Sequence, residues 1–139
     1  MARKRITVET LVGVSPQKAW DYYHNPKHIT QWNFASKDWH CPYAENNLTV
    51  GGKYLARMEA RDGSFGFDYE AIYNSIDEFK GFTYTMPDGR RVDTSFEEVN
   101  GSTKVTTVFD AEHENSAEMQ RVGWQSILDN YKRYAESQG

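Results

Sequence analysis

The feature that most limits the fold of this 139-residue chain is a series of alternating segments joined by short turns. Five segments between residues 53 and 109 alternate apolar with polar residues, as strands do when one face is buried. The turns between them contain hairpin dipeptides, among them Asp62-Gly63 and Asn100-Gly101. Because such turns are too short for a crossover connection, the pattern predicts an antiparallel meander.

Ahead of the meander, the sequence predicts one strand and two short helices. Residues 5–14 alternate as a half-buried strand, and Ser15-Pro16 supplies an N-cap followed by a proline at the first helical position. Pro26 ends this first helix, because the residue before a proline avoids the helical conformation. The same proline opens a second helix that reaches Trp32, and a further short strand is expected around Trp39.

Residues 115–135 are expected to form one long amphipathic helix, with Asn115 and Glu118 as its capping pair. At about 100° per residue, one side of this helix carries Ser116, Gln120, Gly123, Trp124, Ile127, Leu128, Tyr131, Tyr134 and Ala135. The opposite side is polar and is expected to face water. Gly123 costs helix propensity, which we attribute to a need for space: close approach of the helix to the sheet, the favoured explanation, or room for a cavity. The order of elements predicts an α+β fold in which this helix covers one face of the sheet.

Composition excludes several classes of protein. A single cysteine, Cys41, rules out an intramolecular disulfide and suits a reducing compartment. No apolar stretch approaches the roughly 20 residues that span a bilayer, and no signal-peptide core follows the basic segment 1–5. The formal net charge is −4 and the basic residues are dispersed, which argues against nucleic acid as a partner. We therefore expect a cytoplasmic protein without membrane insertion.

The sequence contains no evident catalytic, metal-binding or cofactor motif. Cys41 follows His40, but neighbours on an extended segment point to opposite faces, so a thiol–imidazole pair is not expected. His24 and His28 have helical spacing, but Pro26 between them breaks the helix. We expect no metal and no cofactor.

Charged residues on two adjacent strands of the meander fall opposite an aromatic face. Arg57, Glu59, Asp68 and Glu70 all alternate with apolar residues such as Tyr69. If the aromatic face is the concave one, these charges face solvent and pair across the strands.

Several short motifs, taken in order and spacing, are similar to those of a known superfamily. They are Ser15-Pro16-x3-Trp20, Pro26-x5-Trp32, Gly51-Gly52, Asp62-Gly63 and Gly123-Trp124-x3-Leu128, with a strand meander before the last. Over essentially its whole length the chain resembles the START/Bet v 1-like (SRPBCC) superfamily. Within it, the chain is most similar to the group related to the C-terminal domain of the activator of Hsp90 ATPase.

The resemblance implies an α+β helix-grip fold. In this fold a curved antiparallel sheet of six to seven strands wraps around a long C-terminal helix, and two short helices follow strand 1. It also implies a single START-like ligand-binding domain over residues 1–139, with a cavity between sheet and helix. Many superfamily members carry lipids, sterols, polyketides or plant hormones there, and a few are cyclases or dehydratases.

Aromatic and apolar side chains from most predicted elements converge on this expected cavity. The candidate ligand-binding residues are Trp20, Tyr23, Trp32, Trp39, Tyr54, Met58, Phe67, Tyr69, Tyr84, Phe96, Gln120, Trp124, Ile127 and Tyr131. Such walls suit a flat or lipid-like molecule, and the same residues also suit a filled core. A buried Gln120 needs hydrogen-bond partners, which either a ligand or the protein can supply.

The favoured function is binding or carriage of a small, largely apolar ligand without catalysis. Two alternatives stay open: a cyclase- or hydratase-like enzyme acting on a polyketide-like substrate, and a module that contacts the chaperone Hsp90. The sequence also leaves open whether the chain forms a homodimer. A mostly apolar cavity favours a carrier, whereas titratable groups that converge inside it favour an enzyme.

Overall fold

The structure, a computed structural model, describes residues 4–138. Residues 1–3, which belong to the basic N-terminal segment, and residue 139 lie outside the described residues, so the predicted domain 1–139 is covered except at its ends. The elements in chain order are β1 (Arg5–Val12), α1 (Pro16–His24), α2 (Pro26–Trp32), β2 (Trp39–Asn46), β3 (Lys53–Ala60), β4 (Gly66–Asp77), β5 (Gly81–Thr85), β6 (Arg91–Val99), β7 (Ser102–Asp110) and α3 (Ala117–Gln138).

The seven strands within residues 4–138 belong to one antiparallel sheet with the order β1-β7-β6-β5-β4-β3-β2. The five predicted strands of the meander are β3 to β7, each paired with the next. Pairing shifts register between His40 and Tyr43 and between Tyr73 and Ser75, and such bulges bend a sheet. The curved sheet, the two short helices after β1 and the long C-terminal helix confirm the predicted helix-grip fold.

Local sequence signals fix where α1 and α2 begin. Ser15 caps α1 and Asn25 caps α2, each by accepting a hydrogen bond from a backbone amide of the first turn. Pro16 and Pro26 occupy the first helical positions, where their missing N–H groups cost nothing. Both predicted helices are therefore confirmed.

Charged side chains on the convex face of β3 and β4 pair with one another, as predicted. Arg57 contacts Glu59 at 2.8 Å and Asp68 at 3.3 Å, and Lys53 contacts Glu70 at 2.7 Å. All five side chains are at least one-third exposed, so solvent screens each pair and its contribution to stability is small. Because the charged side chains occupy the convex face, apolar and aromatic residues occupy the concave face of both strands.

α3 runs beside β1, where its polar side chains bind the open edge of the sheet. The Gln125 amide donates to the Glu9 carbonyl at 3.0 Å, and Lys132 Nζ donates to the Leu11 carbonyl at 2.8 Å. An edge strand otherwise leaves such carbonyls unpaired within the sheet. The expectation that the polar side of this helix simply faces water is therefore wrong for Gln125 and Lys132.

α3 also begins differently from the predicted capping pair. Ser116 is the N-cap, because its hydroxyl accepts a hydrogen bond from the Met119 amide at 3.1 Å. Asn115 belongs to the preceding loop, where its backbone N–H donates a hydrogen bond to the Glu112 carboxylate at 2.7 Å. Ser116 is exposed and does not face the sheet, which corrects its assignment to the apolar side of the helix.

The close-packing explanation for Gly123 is also wrong. A Cβ atom at this position would meet no heavy atom of another element within 4 Å. The apolar side of α3 nevertheless packs on the sheet, with Leu128, Tyr131 and Ala135 buried in the core.

None of the helices within residues 4–138 is long and apolar enough to cross a membrane.

Candidate ligand-binding site

A cavity of about 460 Å³ lies between the concave face of the sheet and α3. Its volume is within the range of small-molecule sites in proteins. Nine of the fourteen predicted ligand-binding residues line it: Tyr23, Trp32, Tyr54, Met58, Phe67, Tyr69, Tyr84, Trp124 and Ile127. The alternation of the strands and the periodicity of α3 direct these side chains toward the same space.

Three tyrosines on the neighbouring strands β3, β4 and β5 form a cluster in the cavity wall, which we call the tyrosine triad: Tyr54, Tyr69 and Tyr84. Their ring centroids are 5.7 Å apart for Tyr54 and Tyr84, 6.1 Å for Tyr54 and Tyr69, and 6.3 Å for Tyr69 and Tyr84. The hydroxyls of Tyr69 and Tyr84 share a hydrogen bond of 2.9 Å, and Asn33 Nδ2 donates to the Tyr54 hydroxyl at 3.1 Å. The triad thus places phenolic hydroxyls in a largely apolar wall.

Burial keeps the phenols of the cavity wall neutral. It raises the pKa of Tyr54 and of Tyr84 well above the usual value, and nearby tyrosines add to the effect. Burial also raises the pKa of Tyr69 and of Tyr23. At physiological pH these four hydroxyls therefore act as hydrogen-bonding groups and not as bases.

The rim of the cavity carries the charged lining residues. Arg90 Nε donates to the Asp88 carboxylate at 2.7 Å, in the turn between β5 and β6. Asp68 and Glu70 flank Tyr69 on β4, and their carboxylates are held in the ion pairs of the convex face. Arg90 is the one cation among the cavity-lining residues in the described part of the chain.

Four aromatic residues that were predicted for the site lie outside this cavity. Trp20 and Phe96 are buried against each other, with ring centroids 5.1 Å apart. Tyr131 is fully buried, and its hydroxyl donates to the Ala19 carbonyl at 2.6 Å. Trp39 packs on exposed aromatic side chains near the turn between β3 and β4. Their assignment to the cavity wall is corrected, because α1 fills one end of the groove and turns three of these residues into core.

Gln120 is buried as predicted, but it does not line the cavity. Its Oε1 accepts a hydrogen bond from the Glu112 amide at 2.9 Å. Its Nε2 donates to the carbonyls of Glu112 and Asn115 at 3.2 and 2.8 Å. The protein itself therefore satisfies this amide, which fastens the loop before α3.

The cavity also contains residues that the sequence analysis did not assign to it: Val8, Asn33, Asp68, Glu70, Met86, Pro87, Asp88, Arg90, Thr107 and Leu128. Val8 and Leu128 fall on buried faces in the sequence pattern, so a usable signal existed for both. The residues of the β5–β6 turn carry no periodicity. Only the three-dimensional course of that turn brings them to the rim.

The described cysteine and the potential metal ligands bear on two other kinds of chemistry, nucleophilic catalysis and metal binding. Cys41 is buried, and burial raises the pKa of its thiol to about 11, so the nucleophilic thiolate is scarce at neutral pH. Among residues 4–138, no group of three or more His, Cys, Asp and Glu side chains is placed to hold a metal ion.

A curved sheet that grips a long C-terminal helix around a cavity defines a helix-grip domain of the START/Bet v 1-like class. The family model for Activator of Hsp90 ATPase homolog 1-like protein matches residues 13–136. The chain belongs to this family, which is part of the SRPBCC superfamily.

Solved structures of similar proteins agree with this assignment. The AHSA1-like protein from Aeromonas hydrophila is 38% identical, with 98% of this chain and 94% of that chain covered and a TM-score of 0.91. A protein from Cytophaga hutchinsonii is 39% identical, with 96% and 93% covered and a TM-score of 0.83. A Chromobacterium violaceum protein, 15% identical with 96% and 98% covered, has a TM-score of 0.86 and shows the fold alone. No protein of curated function matches the chain.

Proposed function

We propose that this protein, as one ligand-binding domain, binds or carries a small, largely apolar molecule in the cavity between the sheet and α3. The observation that carries the proposal is the cavity itself, with a volume of about 460 Å³ and walls made mostly of aromatic and aliphatic side chains. Protein cores are normally packed with few voids larger than a water molecule. A space of this size therefore favours an occupant over a purely structural role for its aromatic walls.

The chemistry of the wall favours binding over catalysis. A cyclase- or hydratase-like enzyme needs an acid or base that reaches the substrate, with a pKa near the working pH. The carboxylates among the lining residues belong to Asp68, Glu70 and Asp88, and each is held in an ion pair. The buried phenols have raised pKa values and do not act as bases.

A cytoplasmic location, a homodimer and a contact with Hsp90 stay predictions for this chain. The family description concerns an activator of the Hsp90 ATPase, and that activity is a property of the protein so named. A chaperone contact would use the outer surface, whereas the proposed ligand occupies the interior. The two functions can therefore be tested separately.

The proposal is tested first by native mass spectrometry of the protein purified from its own host. We expect a co-purifying organic molecule of low polarity. A second test uses the uncharged fluorophore N-phenyl-1-naphthylamine, whose emission increases in apolar surroundings. Wild-type protein is expected to bind this probe at one saturable site.

A matched pair of variants locates that site. Ile127→Trp fills the cavity from α3, whereas Val122→Trp adds the same side chain at a residue of the same helix that is 51% exposed and does not line the cavity. We expect Ile127→Trp to weaken probe binding by about tenfold or more, and Val122→Trp to leave it unchanged. Equal affinities in both variants, or no saturable binding by the wild type, would contradict the proposal.

A further inference from the structure

The tyrosine triad has more hydrogen-bond donors than the described protein can use. Tyr69 and Tyr84 share a single hydrogen bond, in which either can be the donor, so one of their two hydroxyl protons is left over. The Tyr54 hydroxyl accepts a hydrogen bond from Asn33 and donates to no acceptor within residues 4–138. Two donor protons in one wall of the cavity therefore lack an acceptor among the described residues.

These donors matter because they are buried. Tyr54 is 5% exposed and Tyr84 is 6% exposed, and both line the cavity. A buried donor without an acceptor destabilises the folded protein. An occupant that brings an acceptor to the triad removes this cost, and an occupant without one leaves it in place.

The three rings of the triad lie side by side in one wall of the cavity. Tyr54 and Tyr84 lie on the same concave face with 28° between their ring planes, and Tyr69 stands nearly perpendicular to Tyr54, at 89°. The three phenols come from adjacent strands, and their ring centroids are 5.7 to 6.3 Å apart. A carbonyl oxygen accepts two hydrogen bonds, which matches the number of unused protons.

The charges of the lining residues favour a neutral acceptor over an anion. Arg90 is the one cation among the described lining residues, and it is paired with Asp88. The carboxylates of Asp68 and Glu70 are held in ion pairs on the convex face, so they bring no cation into the cavity either. A carboxylate ligand would be buried against neutral phenols without an unpaired cation among the described lining residues, which is costly for its charge.

We propose that the ligand is a flat, largely apolar molecule with a neutral carbonyl-type oxygen, and that the tyrosine triad binds this oxygen by donating hydrogen bonds to it. This inference rests on the proposed function, since it requires an occupied cavity. The triad then selects among apolar molecules that the remaining walls would bind alike.

The test compares 9-fluorenone with fluorene, two planar molecules of nearly equal size that differ at the carbonyl group. Each is titrated as a competitor of bound N-phenyl-1-naphthylamine. We expect wild-type protein to bind the ketone about tenfold more tightly than the hydrocarbon, because only the ketone satisfies the buried donors. The infrared carbonyl band of bound fluorenone is expected to lie at lower frequency than in an apolar solvent.

Variants assign the effect to the triad. Tyr54→Phe removes one unused donor, and the double variant Tyr69→Phe/Tyr84→Phe removes the other; a single change in that pair would leave one proton available. The matched control is Tyr73→Phe, because Tyr73 is fully buried outside the cavity and its hydroxyl donates to Asn46 at 2.7 Å. We expect each triad variant, which leaves at least one donor in place, to lose part of the ketone preference with unchanged fluorene affinity, and the control to keep all of it.

The outcomes separate this inference from the proposed function. If fluorene and fluorenone bind equally to the wild type, or if the preference persists undiminished in both triad variants, the carbonyl proposal is wrong while the binding function stands. If neither compound nor the probe binds, both proposals are wrong. Thermal denaturation first checks that each variant folds; if the double variant does not, Tyr54→Phe and the infrared band of the wild type decide.

Discussion

The indole of Trp124 stacks face to face on the ring of Phe109, with centroids 3.9 Å apart and 9° between the ring planes. Phe109 is fully buried on β7, whereas Trp124 is only partly buried and lines the cavity. Trp124 also packs edge to face with Tyr69 of the triad, with ring centroids 6.3 Å apart. One side chain therefore both fastens α3 to the sheet and forms part of the cavity wall.

This contact predicts a graded effect of substitutions at Trp124. We expect Trp124→Ala to lower the free energy of unfolding by about 2–3 kcal/mol, below the range for most fully buried tryptophans, because part of the indole is already exposed. Trp124→Phe keeps a ring against Phe109 and should lose about half as much. Urea denaturation followed by circular dichroism measures both values. A near-neutral Trp124→Ala would mean that the stack does not hold the helix.

His24 predicts a dependence of stability on pH. Its Nδ1 bonds to the Trp20 carbonyl at 2.9 Å, and its buried Nε2 has no hydrogen-bond partner in residues 4–138. Burial lowers the pKa of His24 to about 4, from an ordinary value of about 6.5. The unfolded chain therefore binds this proton at higher pH than the folded protein. The contribution of neutral His24 to stability is therefore complete above about pH 6.5. This contribution, about 3 kcal/mol, is lost as the pH falls to about 4.

Unfolding by urea between pH 4.5 and 7.5 measures this effect. We expect His24→Phe, which keeps an aromatic ring among the neighbouring rings, to flatten the pH profile even if it changes stability at pH 7.5. The exposed His113 serves as the control, and His113→Gln should retain the wild-type slope. Parallel profiles for wild type and His24→Phe would show that another group governs the acid loss.

Gly123 predicts a stabilising substitution. Since a Cβ atom at this position meets nothing within 4 Å, Gly123→Ala should raise the free energy of unfolding by about 0.5–1 kcal/mol through helix propensity alone. Gly52→Ala is the contrast, because its Cβ would lie 2.1 Å from the Asn47 carbonyl oxygen. Thermal melting of both variants is the measurement. A lower melting temperature for Gly123→Ala would mean that this position needs the space after all.

Gln120 predicts a loss of stability without a loss of binding. Gln120→Leu leaves the backbone N–H and carbonyl of Glu112 without their partner, so we expect a cost of about 1–3 kcal/mol. Hydrogen exchange of the Glu112 amide should accelerate, while the affinity for N-phenyl-1-naphthylamine stays as in wild type. A strong effect on probe affinity would instead place Gln120 in the ligand site.

The chain's own signals predicted most of the fold. Proline and capping residues placed α1 and α2 at their observed bounds, and alternation assigned the faces of β3 correctly. These features depend on contacts within a few residues of chain. Because local geometry also sets the direction of each side chain, nine of the fourteen predicted site residues lie around the cavity.

The sequence by itself determined which side of most strands and helices faces inward, because the direction of a side chain follows from the geometry of its own element. Only the tertiary structure decided how far along the groove each inward residue lies. It placed Trp20 and Phe96 in solid core, bound Gln120 to its own loop, and brought Arg90 to the rim. Those outcomes depend on packing between elements distant in sequence, which no local pattern encodes.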